Sequence, residues 1–230
     1  MFHGERTSVH VPANPSEPPS HLLAEARSAL AELGSVPAQE LSPLAEKLVS
    51  LASLLAAWAQ RINLTAQRTP EAALRGLVFD ALGLERVLPA VPSVADLGSG
   101  AGFPGLPLAL LWRHARFTLV ESRERRHHFQ RAAVRLLGLE NVSPRLGRAE
   151  ALPAEAHALV VAQAMARPER ALDWMAPWVA AEGWLVIPGA SVAPRLPSGL
   201  ELVRSELRMY RIPLTERARS VWIGQRVAGR

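Results

Sequence analysis

The sequence predicts an α/β fold: a Rossmann-like sheet with helices on both faces, preceded by an N-terminal helical extension. Three observations carry this. From Pro92 onward, short apolar runs alternate with helical stretches, the pattern of a mostly parallel sheet. The first run ends in Asp96-Leu-Gly-Ser-Gly-Ala-Gly-Phe-Pro-Gly105, a strand turning into a helix through a glycine-rich loop. Between residue 21 and Pro92 the apolar spacing is helical in three successive stretches.

Taken in order, residues 1–20 hold Pro12, Pro15, Pro18 and Pro19 among polar neighbours and read as a disordered or loosely attached arm. Residues 21–34 read as an amphipathic helix, with Gly34 just beyond its C-terminus. Ser42 and Pro43 read as the N-cap and first turn of a longer helix reaching about Ile62, with an apolar side of Leu44, Leu48, Leu51, Leu54, Leu55 and Trp58. Residues 70–88 form another helical stretch. This divides the chain into an arm (1–20), a helical extension (21–90) and a sheet domain (91–230).

In the sheet domain the strand candidates are Ser93–Leu97, Arg116–Glu121, Val142–Leu146, 158–162 and 184–188. Helices are expected at 104–113, Glu124–Leu137 and 168–180, with Pro104 in the first helical position, where its missing N–H costs nothing. Two further runs, near 200–207 and 220–227, suit a closing antiparallel pair.

At 230 residues the chain fits one domain plus an appendage. It has no cysteine, which excludes disulfides and thiolate metal sites. Neither an apolar run of membrane-spanning length nor a secretory pattern is evident, so a monomeric cytoplasmic protein without membrane contact is the expectation. Formal net charge is +5, and Lys47 is the only lysine. Arginine pairs with phosphate through a planar fork, so the balance permits nucleic acid as a partner.

The glycine run fits two cofactors. From Gly100 it reads G-x-G-x-x-G, the dinucleotide pattern. From Asp96 it reads Asp-x-Gly-x-Gly-x-Gly, the form seen in S-adenosylmethionine (SAM) methyltransferases. Asp96 favours SAM, because a carboxylate there would repel a pyrophosphate and tolerate an ammonium. Glu121, ending the next strand, suits a ribose in either case.

Several separated segments then agree. They are Asn63-Leu-Thr-Ala, the loop Asp96–Gly105 continuing into Leu-Pro-Leu, Phe117-Thr-Leu-Val-Glu-Ser, Leu137-Gly-Leu-Glu-Asn-Val and Gly147-Arg-Ala-Glu150. From about residue 42 to the end the chain resembles the RsmG (GidB) family, which methylates N7 of a guanine in bacterial 16S ribosomal RNA. The resemblance implies SAM as cofactor and 16S ribosomal RNA, or the small ribosomal subunit, as partner. It implies that Gly98 and Gly100 face the methionine part of SAM, that Phe103 packs near it, that Glu121 binds the ribose, and that Ala149 and Glu150 flank the adenine. Asp96 and Gln163 complete the expected cofactor set. No catalytic base and no metal are expected, since guanine N7 has a free lone pair.

Three positions depart from the family pattern. Gln163 stands where an arginine is usual after the fourth strand, Pro188 where a lysine is usual after the fifth, and Leu77 where a histidine precedes Asp80. A paralogue with another substrate and a non-catalytic binding protein are the two other readings this leaves. Arg125 and Arg126, on the helix after Glu121, are the expected RNA-binding pair, against the alternative of a solvated helix face. His127 and His128 are adjacent on that helix and so do not face one metal.

Overall fold

A computed structural model describes residues 19–228. Most of the expected arm, residues 1–18, lies outside the described residues. Ser20 already belongs to the first helix, α1 (Ser20–Leu33), which Gly34 ends in the left-handed conformation at φ 74°. A short turn, Ala38–Glu40, leads into α2 (Leu41–Ala59). Ser42 is therefore inside the helix and is not its cap, because the preceding turn already supplies helical backbone; α2 also stops short of Ile62. Thr69 caps α3 (Pro70–Ala73), its hydroxyl accepting from the Ala72 N–H at 3.2 Å. A widened π turn, Leu74–Val78, then joins α3 to α4 (Phe79–Glu85).

The sheet has seven strands in the order β3-β2-β1-β4-β5-β7-β6. They are β1 (Ser93–Leu97), β2 (Arg116–Glu121), β3 (Val142–Leu146), β4 (His157–Val161), β5 (Val179–Pro188), β6 (Leu202–Arg211) and β7 (Ala218–Arg226). The pairings from β3 through β5 are parallel, and β7 runs antiparallel to both β5 and β6. The crossover helices are α5 (Gly105–Leu111), α6 (Glu124–Leu137) and α7 (Pro168–Met175). Pro104 precedes α5 as its cap and is not its first residue. The expected helix over 168–180 ends at Met175, because the chain from Val179 pairs with His157 and extends β5 by five residues.

Strand alternation sends side chains to two apolar clusters. Val94, Phe117 and Leu119 face one that also contains Leu48, Leu55, Phe79, Leu106 and Phe129, so α1–α6 all pack on this side. Ala95, Leu97 and Val160 face the other, closed by Leu172, Met175 and Trp178 from α7 and the segment after it. The α5 and α6 crossovers move one way along the sheet and α7 the other. A right-handed rule for each then places α7 on the opposite face.

The residues before Pro92 share the first cluster with the sheet. By length and composition Ala38–Ala59 is apolar enough to cross a membrane, unlike the expectation from sequence. Here its apolar side is spent on α1, α3, α5 and α6: Leu44, Leu48, Leu51 and Leu55 are buried, and Trp58 meets Phe129 edge-on at 5.7 Å. Lys47 Nζ donates to the Leu137 carbonyl at 2.8 Å, satisfying an orphan acceptor at the end of α6. Asn141 does the same for α5: its side-chain amide reaches the carbonyls of Ala109, Trp112 and Ala115 at 3.0–3.3 Å. Asn141→Leu should therefore lower the unfolding free energy by roughly 1–3 kcal/mol, measured by urea denaturation, because it removes a donor from three part-buried carbonyls, of which Trp112 keeps the Ala115 N–H.

Candidate active site

The strand order reverses between β1 and β4, and in open α/β sheets the crevice at that point, outside the carboxyl ends of the strands, is the ligand site. Here the loop after β1 supplies it. Gly98 and Gly100 take positive φ, 66° and 58°. A β-carbon on Gly98 would lie 2.6 Å from Cγ and Sδ of Met165, so the loop after β4 lies directly against the glycine backbone.

This loop is held from behind. The Ser99 N–H and Oγ both donate to the Val120 carbonyl, at 3.0 and 3.2 Å. Gln130, fully buried on α6, donates from Nε2 to Ser99 Oγ and to the Gly100 carbonyl, each at 2.8 Å. Gln130 was not among the residues expected from sequence; a lone glutamine at helical spacing gives no signal.

Asp96 is the first correction to the expected site. It is fully buried beneath the loop, and Oδ2 accepts from the Gly105 N–H at 2.9 Å, tying the end of β1 to the start of α5. Oδ1 has no hydrogen-bond partner. Burial pushes its pKa up to about 8, opposed by the Gly105 bond and helped by the neighbouring Glu121 charge. Asp96 is thus largely protonated at neutral pH, and electrostatic repulsion of a pyrophosphate is not what this residue does.

Glu121 is buried at the end of β2, and each of its oxygens takes a backbone donor. The Gly100 N–H reaches Oε2 at 2.9 Å and the Arg123 N–H reaches Oε1 at 2.7 Å. Arg126 lies 3.8 Å from Oε2. This is the second correction: Arg126, expected beside Arg125 on an outer face, turns inward to the glycine loop, while Arg125 stays exposed. Neighbouring residues on a helix point about 100° apart and cannot share a face.

A cavity of about 150 Å³ opens beside the loop. Gly98, Ala149 and Glu150 line it as expected, joined by Ser122, Met165 and Trp174. Trp178 holds the Ala149 wall, its indole N–H donating to the Ala149 carbonyl at 3.1 Å. Arg148 pairs with Glu150 at 3.7 Å on the rim. Phe103 does not line this cavity; it packs on the helical side of the sheet. Gln163 does not line it either.

Gln163 belongs to a second cluster. Its amide donates to Asp80 Oδ2 at 3.3 Å, while Asp80 Oδ1 accepts from the Tyr210 hydroxyl at 2.8 Å and lies 3.2 Å from Arg219 Nε. Burial and the Asp80 charge raise the Tyr210 pKa, so the phenol remains a donor. Residue 219 lies at the same sheet edge as the glycine loop, since the Gly189 N–H, just past the end of β5, bonds the Ser220 carbonyl. The contributors are 139 residues apart in sequence at their extremes (80 to 219), which is why spacing did not reveal them.

Comparison with known proteins decides the family. A family model described as "GidB: rRNA small subunit methyltransferase G" matches residues 44–197, two thirds of the chain. The chain belongs to this family. Proteins named ribosomal RNA small subunit methyltransferase G are 36% identical over 121 residues in Brevibacillus brevis and 41% over 118 in Solibacter usitatus. The matches cover 50% and 51% of this chain and 51% and 56% of those proteins. A third, from Nitratidesulfovibrio vulgaris, is 37% identical over 146 residues, covering 60% of this chain and 67% of its own length. This GidB-family chain thus spans about half the length of the first two. The structure of M. jannaschii TYW2 in complex with AdoMet superposes with a TM-score of 0.53 at 14% identity, covering 73% of this chain and 78% of that one; at that identity the likeness is of fold.

The buried carboxyl has a thermodynamic consequence. The folded chain keeps a proton on Asp96 from the ordinary carboxylate range up to about pH 8, whereas the unfolded chain releases it near pH 4. Stability from this group is full below pH 4 and declines as pH rises to 8, by roughly 1 kcal/mol per pH unit. Asp96→Asn keeps an acceptor for the Gly105 N–H and cannot ionise. Urea midpoints at pH 5.5 and 8 should therefore converge in the variant relative to wild type.

Proposed function

We propose that this chain transfers the methyl group of SAM to N7 of a guanine in 16S ribosomal RNA. The observation that carries the reading is the cavity at the strand-order reversal, walled by Gly98, Ala149 and Glu150, in a chain of the GidB family. Its donor set fits a nucleoside carrying an amino acid. Gly98 presents bare backbone at the cavity wall, with the Met165 side chain packed against it. Glu121 Oε1 accepts from the Arg123 N–H and the Ser122 hydroxyl, while Oε2, which accepts from the Gly100 N–H, keeps a lone pair for a ribose hydroxyl. Ala149 and Glu150 offer an apolar wall and an acceptor for adenine.

The cofactor, when bound, supplies a methyl group activated by a sulfonium leaving group. Guanine N7 presents a lone pair in the plane of the base and carries no proton to remove. The chain's work is alignment, which can contribute several kcal/mol to the barrier without any general base. That agrees with a site whose one strongly shifted carboxyl, Asp96, is sealed under the loop.

The acceptor side lacks cationic side chains at 163, 188 and 77. Arg219 lies on that edge from a different strand and supplies a charge there, oriented by Asp80 and leaving its terminal nitrogens for the incoming nucleotide. Asp80 and Tyr210 are positioning residues in this reading. The substrate is 16S ribosomal RNA, free or within the small subunit, with the protein a cytoplasmic monomer.

Calorimetry with SAM, followed by incubation with small subunits lacking the modification and mass spectrometry of the RNA, tests the proposal. Methyl transfer to guanine N7 upholds it. SAM binding without transfer to RNA assigns the chain another acceptor, and absence of SAM binding overturns the reading. Glu150→Ala removes one exposed acceptor and should weaken SAM binding about tenfold with the thermal midpoint unchanged.

A further inference from the structure

The charge of this protein is concentrated on one element. Between Arg123 and Leu137 stand five arginines (123, 125, 126, 131 and 135) and one glutamate, Glu124, a net +4 against +5 for the whole chain. Arg126 turns inward to Glu121, but Arg123, Arg125, Arg131 and Arg135 are exposed.

Local stability does not account for them. A helix N-terminus carries partial positive charge, so Arg123 at the cap and Arg125 in the first turn oppose the macrodipole; only Arg135, in the last turn, complements it. Acids do not neutralise them either. Glu124 lies 3.8 Å from His128 and in no arginine ion pair, and in the segment after β3 Glu155 and Glu150 are engaged by Arg145 and Arg148. Among the described residues, no ion pair involves Arg123, Arg125, Arg131 or Arg135.

We propose that the outer face of α6 is a phosphate track: it docks the RNA backbone beyond the nucleotide that enters the site. His128, Arg131 and Arg135 share this face with Glu124 at helical spacing, while Arg123 and Arg125, about 100° to either side of Glu124, flank its first turn. Eleven residues separate 124 from 135, about 16 Å of rise, enough for two to three phosphates of a single strand. The upper end of the track is fixed to the cofactor loop, because Arg126 and Gln130 on the inner face of the same helix hold Glu121 and Gly100. Docking along α6 therefore sets the register of the acceptor base against the cavity. The inference rests on the RNA-methyltransferase reading and adds a surface to it.

The test compares Arg131→Gln/Arg135→Gln, which strips the shared face, with Arg113→Gln/Arg116→Gln, which removes the same charge from exposed positions at the opposite sheet edge. Binding of each to a fluorescent 16S ribosomal RNA fragment is measured by anisotropy from 50 to 300 mM KCl. The α6 variant should lose about 1.5 from the slope of log K against log salt, and the control variant should parallel wild type. Parallel lines for all three proteins overturn the track, as does an equal loss in the control, which would make the effect one of net charge. Equal affinity of wild type for anionic lipid vesicles also overturns it. SAM calorimetry and guanine-N7 transfer by wild type separate the two claims: transfer with unchanged slopes rejects the track alone, and no transfer rejects the reading beneath it.

Discussion

Glu121 connects three pieces of this molecule that must hold still relative to one another. One oxygen fixes the Gly100 amide in the loop after β1, and the other fixes the Arg123 amide where α6 begins. The end of β2, the glycine loop and the first turn of α6 therefore move as a unit. Two buried supports sit behind it: Gln130, reaching back to Ser99 and Gly100, and Asp96, holding the Gly105 amide. A ligand meeting this edge finds a backbone already ordered, so little conformational entropy remains to be lost on binding.

The helices before the sheet are bound by the same economy of means. Their apolar faces supply area, but polar contacts across long stretches of sequence set their positions. Lys47 caps α6 from α2, and Asp80 joins the start of α4 to β6, β7 and the loop after β4. The Asp80 cluster gathers the helical segment, the closing strands and the central sheet at one point beside the cavity. Motion of any of them would be felt at that sheet edge.

Much of this was legible in the residues. Alternation of short apolar runs with helical periods gave the strands β1–β3 to the residue, and Gly34 and Gly138 marked helix ends that the backbone confirms at φ 74° and 61°. What was not legible arises from tertiary pairing. Val179–Ala181 lacks strand alternation and joins β5 because His157 offers Val179 a partner, with Glu182 left-handed at φ 59° where the register shifts. Side-chain direction escaped too: Asp96 and Arg126 were placed by type and position, and one proved to be sealed under the loop while the other faces inward. Of the expected cofactor residues, Gly98, Ala149 and Glu150 line the cavity, whereas Met165 and Trp174 do so without any motif to announce them.

The solitary lysine adds an unplanned reporter. Lys47 is half-buried, and its ammonium caps the last turn of α6, at the seam between the N-terminal helices and the sheet. Amine-directed reagents, and enzymes that acylate lysine, thus meet one side chain in the whole protein. Its modification would neutralise the cap, and its protection would track whether α2 is seated on α6. Arginine carries every other basic charge of the side chains apart from histidine, leaving the other side chains silent to that chemistry.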